Sequence, residues 1–240
     1  MTIAPDGRGE HRVLTQAAGP DWSPDGTRLA YNWIGGSGGL FVVNADGSGR
    51  HRIARMYAIE PAWSPDGTRI AFISNARVGH VFVINADGTG LRRLTNDIYS
   101  DYNVSWSPDG RKLAFWRARR GAIFTIDPDG TSLRRLISAG ELDWSPDGTR
   151  IAFVRGPVAD VWVARADGSA ARNLTAGVKA GGRFPRWSPD GKRIVFASTR
   201  SGEISGGVEQ EDLYVMQADG SDVTRLTRKA PKRCCQLGPS

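Results

Sequence analysis

The feature that most constrains this chain is the string Trp-Ser-Pro-Asp-Gly, which occurs five times in 240 residues. Successive copies lie 41, 43, 38 and 43 residues apart. The copies begin at Trp22, Trp63, Trp106, Trp144 and Trp187. A period of about 40 residues indicates a repeat architecture, in which each unit buries its apolar faces only against its neighbours.

A second signature accompanies the first. It consists of a small residue or proline, then Asp-Gly, then an arginine-rich segment that commonly ends in Leu-Thr, as at Leu94-Thr95 and Leu174-Thr175. Its aspartates are Asp6, Asp46, Asp87, Asp129, Asp167 and Asp219. Both signatures carry residues that favour tight turns, because proline presets φ and glycine accepts positive φ.

Each repeat is predicted to form four short strands. In the second repeat these are Pro61–Trp63, Arg69–Ile73, Val81–Ile84 and Leu91–Leu94, which are rich in β-branched and aromatic residues and bounded by turn residues. A repeated four-stranded antiparallel unit is typical of β-propeller blades. The fold class is therefore predicted to be all-β, a propeller of five complete repeats plus one extra N-terminal strand.

The predicted propeller covers residues 1–227. The blades are predicted at about 20–54, 60–95, 101–137, 140–175 and 183–227, with a lone outer strand at 8–15 and a basic, disordered tail at 228–240. Such a count fits either a five-bladed ring or an incomplete six-bladed one. We expect the chain to be a fragment of a six-bladed protein, because the three inner strands of a sixth blade are missing.

The repeated tryptophans are predicted to be core residues. Together with the aromatic residue of the following strand, Tyr31 in the first repeat and Phe72 in the second, they would fill the space between blades. Burial of one such side chain stabilises the fold by about 2–3 kcal/mol.

The combination Trp-Ser-Pro-Asp-Gly-x-x-Ile-Ala-Phe, Val-x-Asn-Ala-Asp-Gly and Arg-Leu-Thr resembles the TolB-like (WD40-like) propeller repeat, over residues 3–227. The resemblance implies a non-catalytic scaffold of the bacterial cell envelope, periplasmic or otherwise extracytoplasmic, that binds a protein or peptide. An alternative is the propeller domain of a prolyl oligopeptidase-like serine peptidase, which gates substrate access. A weaker one is a carbohydrate-binding or lyase propeller.

Charge and composition limit the classes of partner that the chain is expected to bind. The net charge is +7, but Arg228, Lys229, Lys232 and Arg233 contribute +4 within an acid-free terminus, so residues 1–227 carry only +3. This modest charge argues against a nucleic-acid partner. No apolar run approaches the roughly 18 residues of a membrane-spanning helix, and the first fifteen residues lack the layout of a secretory signal. The expected assembly state is a monomer.

No catalytic residue, metal site or cofactor is predicted. Gly35–Gly39 formally matches Gly-x-Ser-x-Gly, but no helix follows it as that motif requires. His11 and His51 fall on outer strands, and His80 opens a third strand where other repeats have Asp160 and Asp212. The adjacent Cys234 and Cys235 offer neither a disulfide framework nor a zinc site, and their role stays open.

The predicted binding surface is formed by the loops between second and third strands and by those that join blades. Antiparallel strands bring these variable loops to one side, whereas the uniform turns lie on the other. Tyrosine and arginine are enriched at interface hot spots. The predicted binding residues are Tyr57, Tyr99, Tyr102, Arg119, Arg120, Phe184, Glu209 and Asp212.

Overall fold

The computed structural model describes residues 16–35, 38–75, 77–177, 181–202, 204–205, 208–209 and 211–227. The predicted lone strand at 8–15 and the predicted tail at 228–240 lie outside these residues. The described part is all-β, as predicted, and forms five four-stranded antiparallel sheets of the β-propeller type. Within each four-stranded sheet the strands lie in chain order, so each blade is a meander, interrupted in the last blade by an inserted hairpin.

The chain divides into two compact units, the first ending at Ser138 and the second beginning at Ala139. The first unit holds three blades. Blade one comprises β1 (Ala17–Trp22), β2 (Arg28–Trp33), β3 (Gly39–Asn44) and β4 (His51–Ala54). Blade two comprises β5 (Ala58–Trp63), β6 (Arg69–Asn75), β7 (Gly79–Asn85) and β8 (Arg92–Arg93). Blade three comprises β9 (Asp101–Trp106), β10 (Leu113–Arg117), β11 (Ala122–Ile126) and β12 (Arg134–Ile137).

The second unit holds two blades. Blade four comprises β13 (Gly140–Trp144), β14 (Arg150–Arg155), β15 (Asp160–Arg165) and β16 (Arg172–Asn173). Blade five comprises β17 (Arg183–Trp187), β18 (Arg193–Ser198), β21 (Asp212–Gln217) and β22 (Thr224–Arg225). A small hairpin of β19 (Ile204–Ser205) and β20 (Val208–Glu209) lies between β18 and β21.

The core of each blade is an aromatic pair across its second and third strands. The second-strand ring is fully buried, and the ring directly opposite stacks on it with centroids 5.5–6.4 Å apart. The pairs are Tyr31–Phe41, Phe72–Phe82, Phe115–Phe124, Phe153–Trp162 and Phe196–Tyr214. Such cross-strand pairs are a main source of sheet stability.

Four of the five repeated tryptophans are buried, and three of these lie under an arginine of the preceding blade. Arg69, for example, places its guanidinium carbon 4.8 Å from the centre of the Trp106 ring. Trp22 is 45% exposed, which corrects the prediction that all five are core residues. Within the described residues no sheet precedes Trp22 in sequence, and so none supplies it with an equivalent arginine.

Helical structure is confined, in the part of the chain that the structure describes, to the 3-10 turn Ala118–Arg120. No helix there is long and apolar enough to cross a membrane.

Candidate functional site

The turns at one end of the blades are closed polar networks. In the first, the Ser23 hydroxyl donates to Asp25 Oδ1 at 2.5 Å, and the Thr27 amide and hydroxyl donate to the same oxygen. The Arg28 amide donates to Ser23 Oγ at 2.9 Å. These donors lower the pKa of the Asp25 carboxyl to about 2. The polar groups of this turn therefore form hydrogen bonds with one another.

The Leu-Thr signature holds the outer strands. Thr175 Oγ1 accepts a hydrogen bond from the Val161 amide at 3.0 Å and donates to Asp160 Oδ1 at 3.1 Å. Thr227 does the same with the Leu213 amide and Asp212. Because β16 and β22 pair over only two residues each, this threonine bond supplements a short ladder.

Asp212, one of the predicted binding residues, belongs to this internal network. It is buried, and its oxygens accept hydrogen bonds from Thr227, Ser201 and, in an ion pair of 2.7 Å, Arg225. Its carboxylate holds the outer strand of blade five, so we leave it out of the binding set proposed below.

In the first unit, the loop end of the blades exposes apolar side chains. Ile34 lies between β2 and β3, Tyr57 between β4 and β5, and Ile98 between β8 and β9. Tyr57 is 47% exposed and Ile98 is 74% exposed. Ile34 and Ile98 were not in the predicted set. In the sequence each is only an isoleucine within a loop, and an isoleucine that is buried in the core would look the same.

Two arginines of the 3-10 turn, Arg119 and Arg120, are exposed at the same end of the first unit. Arg120 donates from Nη2 to the Tyr99 hydroxyl at 2.7 Å and stacks on the Tyr99 ring. Tyr99 is therefore half-buried and held in place. Tyr102 is also half-buried, with its ring 5.8 Å from that of Trp116. These two tyrosines support the surface more than they project from it.

Beneath this turn lies a buried ion network that sequence reasoning missed. Arg117 makes a two-pronged bond to Asp101, at 2.7 and 3.1 Å, and an ion pair with Asp97 at 2.6 Å. Burial raises the pKa of the Asp101 carboxyl, although the bonds from Arg117 oppose this. Because Arg117 is saturated by its carboxylates, the network fixes the loop between β8 and β9 and leaves little for a ligand.

His80 is half-buried beside this network, and burial lowers its pKa. In blade four, Asp160 accepts a hydrogen bond from the signature threonine, Thr175. In blade two the signature threonine is Thr95, and its carboxylate partner is Asp101. The substitution of histidine at position 80 is thus compensated by an aspartate from the next blade.

The second unit presents a mixed cluster on its first strands, comprising Glu141, Asp143, Arg183, Phe184 and Arg186. Phe184 is 50% exposed and has a left-handed backbone with φ of 52°. Its amide donates to Glu141 Oε2 at 2.6 Å, and the Trp187 amide donates to Asp143 Oδ2 at 2.7 Å. Burial raises the pKa of the Asp143 carboxyl.

Several predicted features fall outside the description. Gly36 and Ser37 of the Gly-x-Ser-x-Gly string, His11, Cys234, and Cys235 are among the residues not described. For Glu209 only the backbone, in β20, is described. Among the described residues, no three His, Cys, Asp or Glu side chains are grouped so that they could hold a metal ion.

The chain matches the family model of the TolB β-propeller domain over residues 6–157. No curated protein sequence matches it significantly. Its fold is similar to that of a protein assigned as TolB in Agrobacterium tumefaciens, with 25% identity and a TM-score of 0.69, over 88% of this chain and 80% of the other.

Two further solved structures show likeness of fold alone. TolB from Acinetobacter baumannii is 23% identical, with a TM-score of 0.71, over 91% of this chain and 56% of that one. A puromycin-hydrolyzing peptidase of Mycobacterium tuberculosis is 16% identical, with a TM-score of 0.71, over 90% of this chain but only 38% of the peptidase.

Proposed function

Because the chain belongs to the TolB β-propeller family, we propose that it is a non-catalytic binding module for a protein or peptide partner. The proposed setting is the periplasm or another compartment outside the bacterial cytoplasm, and the proposed state is a monomer. Since one fold hosts many functions, the proposal rests on the surface of this chain rather than on the fold.

The observation that carries the proposal is the contrast between the two ends of the first three blades. The turn end is occupied by polar networks such as that of Ser23 and Asp25. The loop end exposes the apolar side chains of Ile34, Tyr57 and Ile98, and it also carries the exposed cations Arg119 and Arg120. We call these five residues the loop surface. Exposed apolar side chains rimmed by charge are typical of protein interaction sites.

The test uses random peptides displayed on phage, selected on the full chain, followed by affinity measurements on the enriched peptides. We expect the double variant Tyr57→Ser, Ile98→Ser to lose at least about tenfold in affinity, which corresponds to about 1.4 kcal/mol. The matched control is Leu91→Ser, Leu133→Ser. Leu91 is 46% exposed, much like Tyr57, but it follows a turn on the opposite end.

Equal losses in both double variants, or no loss in the first, would contradict the proposed surface. Failure to enrich any peptide or to capture any protein would contradict the binding function itself. A chain that hydrolyses the selected peptides would contradict the non-catalytic assignment.

The second candidate is the propeller part of a serine peptidase. What favours it is that the similar peptidase contains such a propeller in little more than a third of its length. The two candidates differ in the reading frame downstream of Ser240. A hydrolase domain with its own Gly-x-Ser-x-Gly motif supports the peptidase, and its absence there supports the binding module.

A further inference from the structure

The first strand of every blade contains a bulge, and each bulge has one residue with positive φ. This residue lies three positions before the repeated tryptophan, at Gly19, Glu60, Asn103, Glu141 and Phe184. The register of the first and second strands shifts there in every blade. Bulges of this kind re-aim a side chain and are common next to functional sites.

Local structure explains four of these five residues. Glycine has no steric cost at positive φ, and asparagine tolerates it. The two glutamates use the position, because each carboxylate accepts the amide of the equivalent residue in the next blade. Glu60 bonds the Asn103 amide, and Glu141 bonds the Phe184 amide.

The Phe184 side chain cannot accept a hydrogen bond in the way that the two glutamates do. A bulky side chain at positive φ is a conformational outlier. Its neighbour Pro185 adds to the cost, since a residue before proline prefers extended backbone. The ring gains little in return, because half of the residue remains exposed. Strain of this kind persists where the surroundings impose it, and here the bond from the Phe184 amide to Glu141 does so.

Phe184 lies in sequence between two arginines whose side chains are mostly exposed. More than half of the side chain is exposed in both Arg183 and Arg186. The guanidinium carbon of Arg183 lies 5.1 Å from the centre of the Phe184 ring. Arg183 forms ion pairs with Glu141 and Glu211, each at 3.8 Å, and Arg186 forms one with Asp143 at 4.0 Å, all longer than a hydrogen bond. Arg186 also donates from Nη1 to the Pro185 carbonyl at 3.3 Å. Glu141 and Asp143 are the less exposed partners, and each already accepts a backbone amide.

We propose that Phe184 is a pre-positioned anchor for a peptide segment that carries a large apolar side chain flanked by Asp or Glu. The apolar side chain packs on the Phe184 ring, and the flanking carboxylates bind Arg183 and Arg186. Guanidinium groups suit carboxylates because their donors match the two oxygens. This inference rests on the proposed function, to which it adds a site in the second unit and a class of partner.

The test combines stability with binding of the same phage-displayed random peptides, selected on the full chain. In Phe184→Gly we expect affinity for those enriched peptides that carry an apolar residue next to Asp or Glu to fall at least about tenfold. The thermal midpoint should not fall, because the strain is removed with the ring. The matched control is Asn103→Gly, which changes the same bulge position in blade three. It should leave peptide affinity unchanged.

A second arm does not depend on the backbone. We expect Arg183→Gln, Arg186→Gln to weaken binding of the same acidic, apolar peptides at least about tenfold and to reduce the salt dependence of that binding. The enriched sequences should include a class with an apolar residue next to Asp or Glu. A selection that gave only basic or purely apolar sequences, or unchanged affinity in this arm, would overturn the inference.

The two proposals fail differently. If every enriched peptide lost affinity in Tyr57→Ser, Ile98→Ser and bound Phe184→Gly normally, this inference would be overturned and the proposed function would stand. If Phe184→Gly lowered the thermal midpoint and left affinity unchanged, the ring would be a packing residue, and the inference would be wrong. The absence of any enriched peptide would overturn both.

Discussion

At the scale of single residues, carboxylates on the first strands join one blade to the next. Asp21 Oδ2 accepts the Trp63 amide at 2.7 Å in the first unit, and Asp143 does the same for Trp187 in the second. Burial raises the pKa of both carboxyls, and the amide bonds oppose this. These residues therefore combine a bond that helps packing with a charge that burial disfavours.

The Asp143 bond can be tested by two substitutions. In Asp143→Ala the buried Trp187 amide loses its acceptor, and we expect the free energy of unfolding to fall by about 1–3 kcal/mol. In Asp143→Asn the acceptor remains and the charge is removed, so the loss should be much smaller. Urea unfolding at neutral pH measures both. Equal losses would mean that the charge, and not the amide bond, matters.

The pH dependence of the same pair has a defined sign. Because the folded-state pKa of Asp143 is raised above 3.8, the folded protein takes up this proton more readily than the unfolded chain. The wild type should therefore gain stability relative to Asp143→Asn as the pH falls through that raised pKa. A relative loss over that interval would contradict the assignment.

The residue scale is also where sequence reasoning reached its limit. Phe184 was predicted as a binding residue from its type and loop position, but its positive φ depends on a bulge that sequence spacing does not reveal. Asp212 was predicted on the same grounds, and its burial depends on Thr227, Ser201 and Arg225, which tertiary packing brings to it. Contacts distant in sequence decide such side chains.

At the scale of elements, the turns and outer strands follow from the repeat. The Ser-Pro-Asp-Gly string predicts a turn through the conformational preferences of its residues, and in the structure Ser23 and Asp25 complete it with side-chain hydrogen bonds. The Leu-Thr signature also has a physical explanation, because its threonine adds a hydrogen bond to a ladder of only two residues. The ion network of Arg117 was not predictable, because among the described residues it occurs in one blade and does not follow the repeat.

The turn networks should make the protein sensitive to acid. Hydrogen bonds from Ser64 and Thr68 lower the pKa of Asp66 to about 2, so its contribution is present above the ordinary value of 3.8 and is lost as the pH falls towards 2. We expect the stability difference between wild type and Asp66→Asn to shrink over this interval. Urea unfolding at a series of pH values measures it, and a constant difference would contradict the role of the charge.

The outer-strand bond can be tested with a substitution of nearly equal shape. In Thr175→Val the buried Val161 amide and Asp160 lose a partner, and we expect a loss of about 1–3 kcal/mol in the free energy of unfolding. Hydrogen exchange at the Val161 amide should also become faster. The control is Thr224→Val on exposed β22, with an expected effect within about 0.5 kcal/mol. Equal effects at both positions would refute the role of the bond.

At the scale of the whole molecule, the repeat period predicted the fold class and the family resemblance, because both depend on a pattern that recurs five times. The blade boundaries, the tail at 228–240 and the binding set stay predictions. A partner surface was harder to predict than the fold for a physical reason: loop residues are not constrained by the packing that repeats from blade to blade.

The central claim is that the loop end, and not the turn end, is the working surface of this propeller. Hydrogen exchange of the full chain, with and without an enriched peptide, tests it most directly. We expect protection at residues 55–57, 96–100 or 183–186, and none at the turns 23–27, 64–68 and 145–149. Protection confined to the turns would contradict the account.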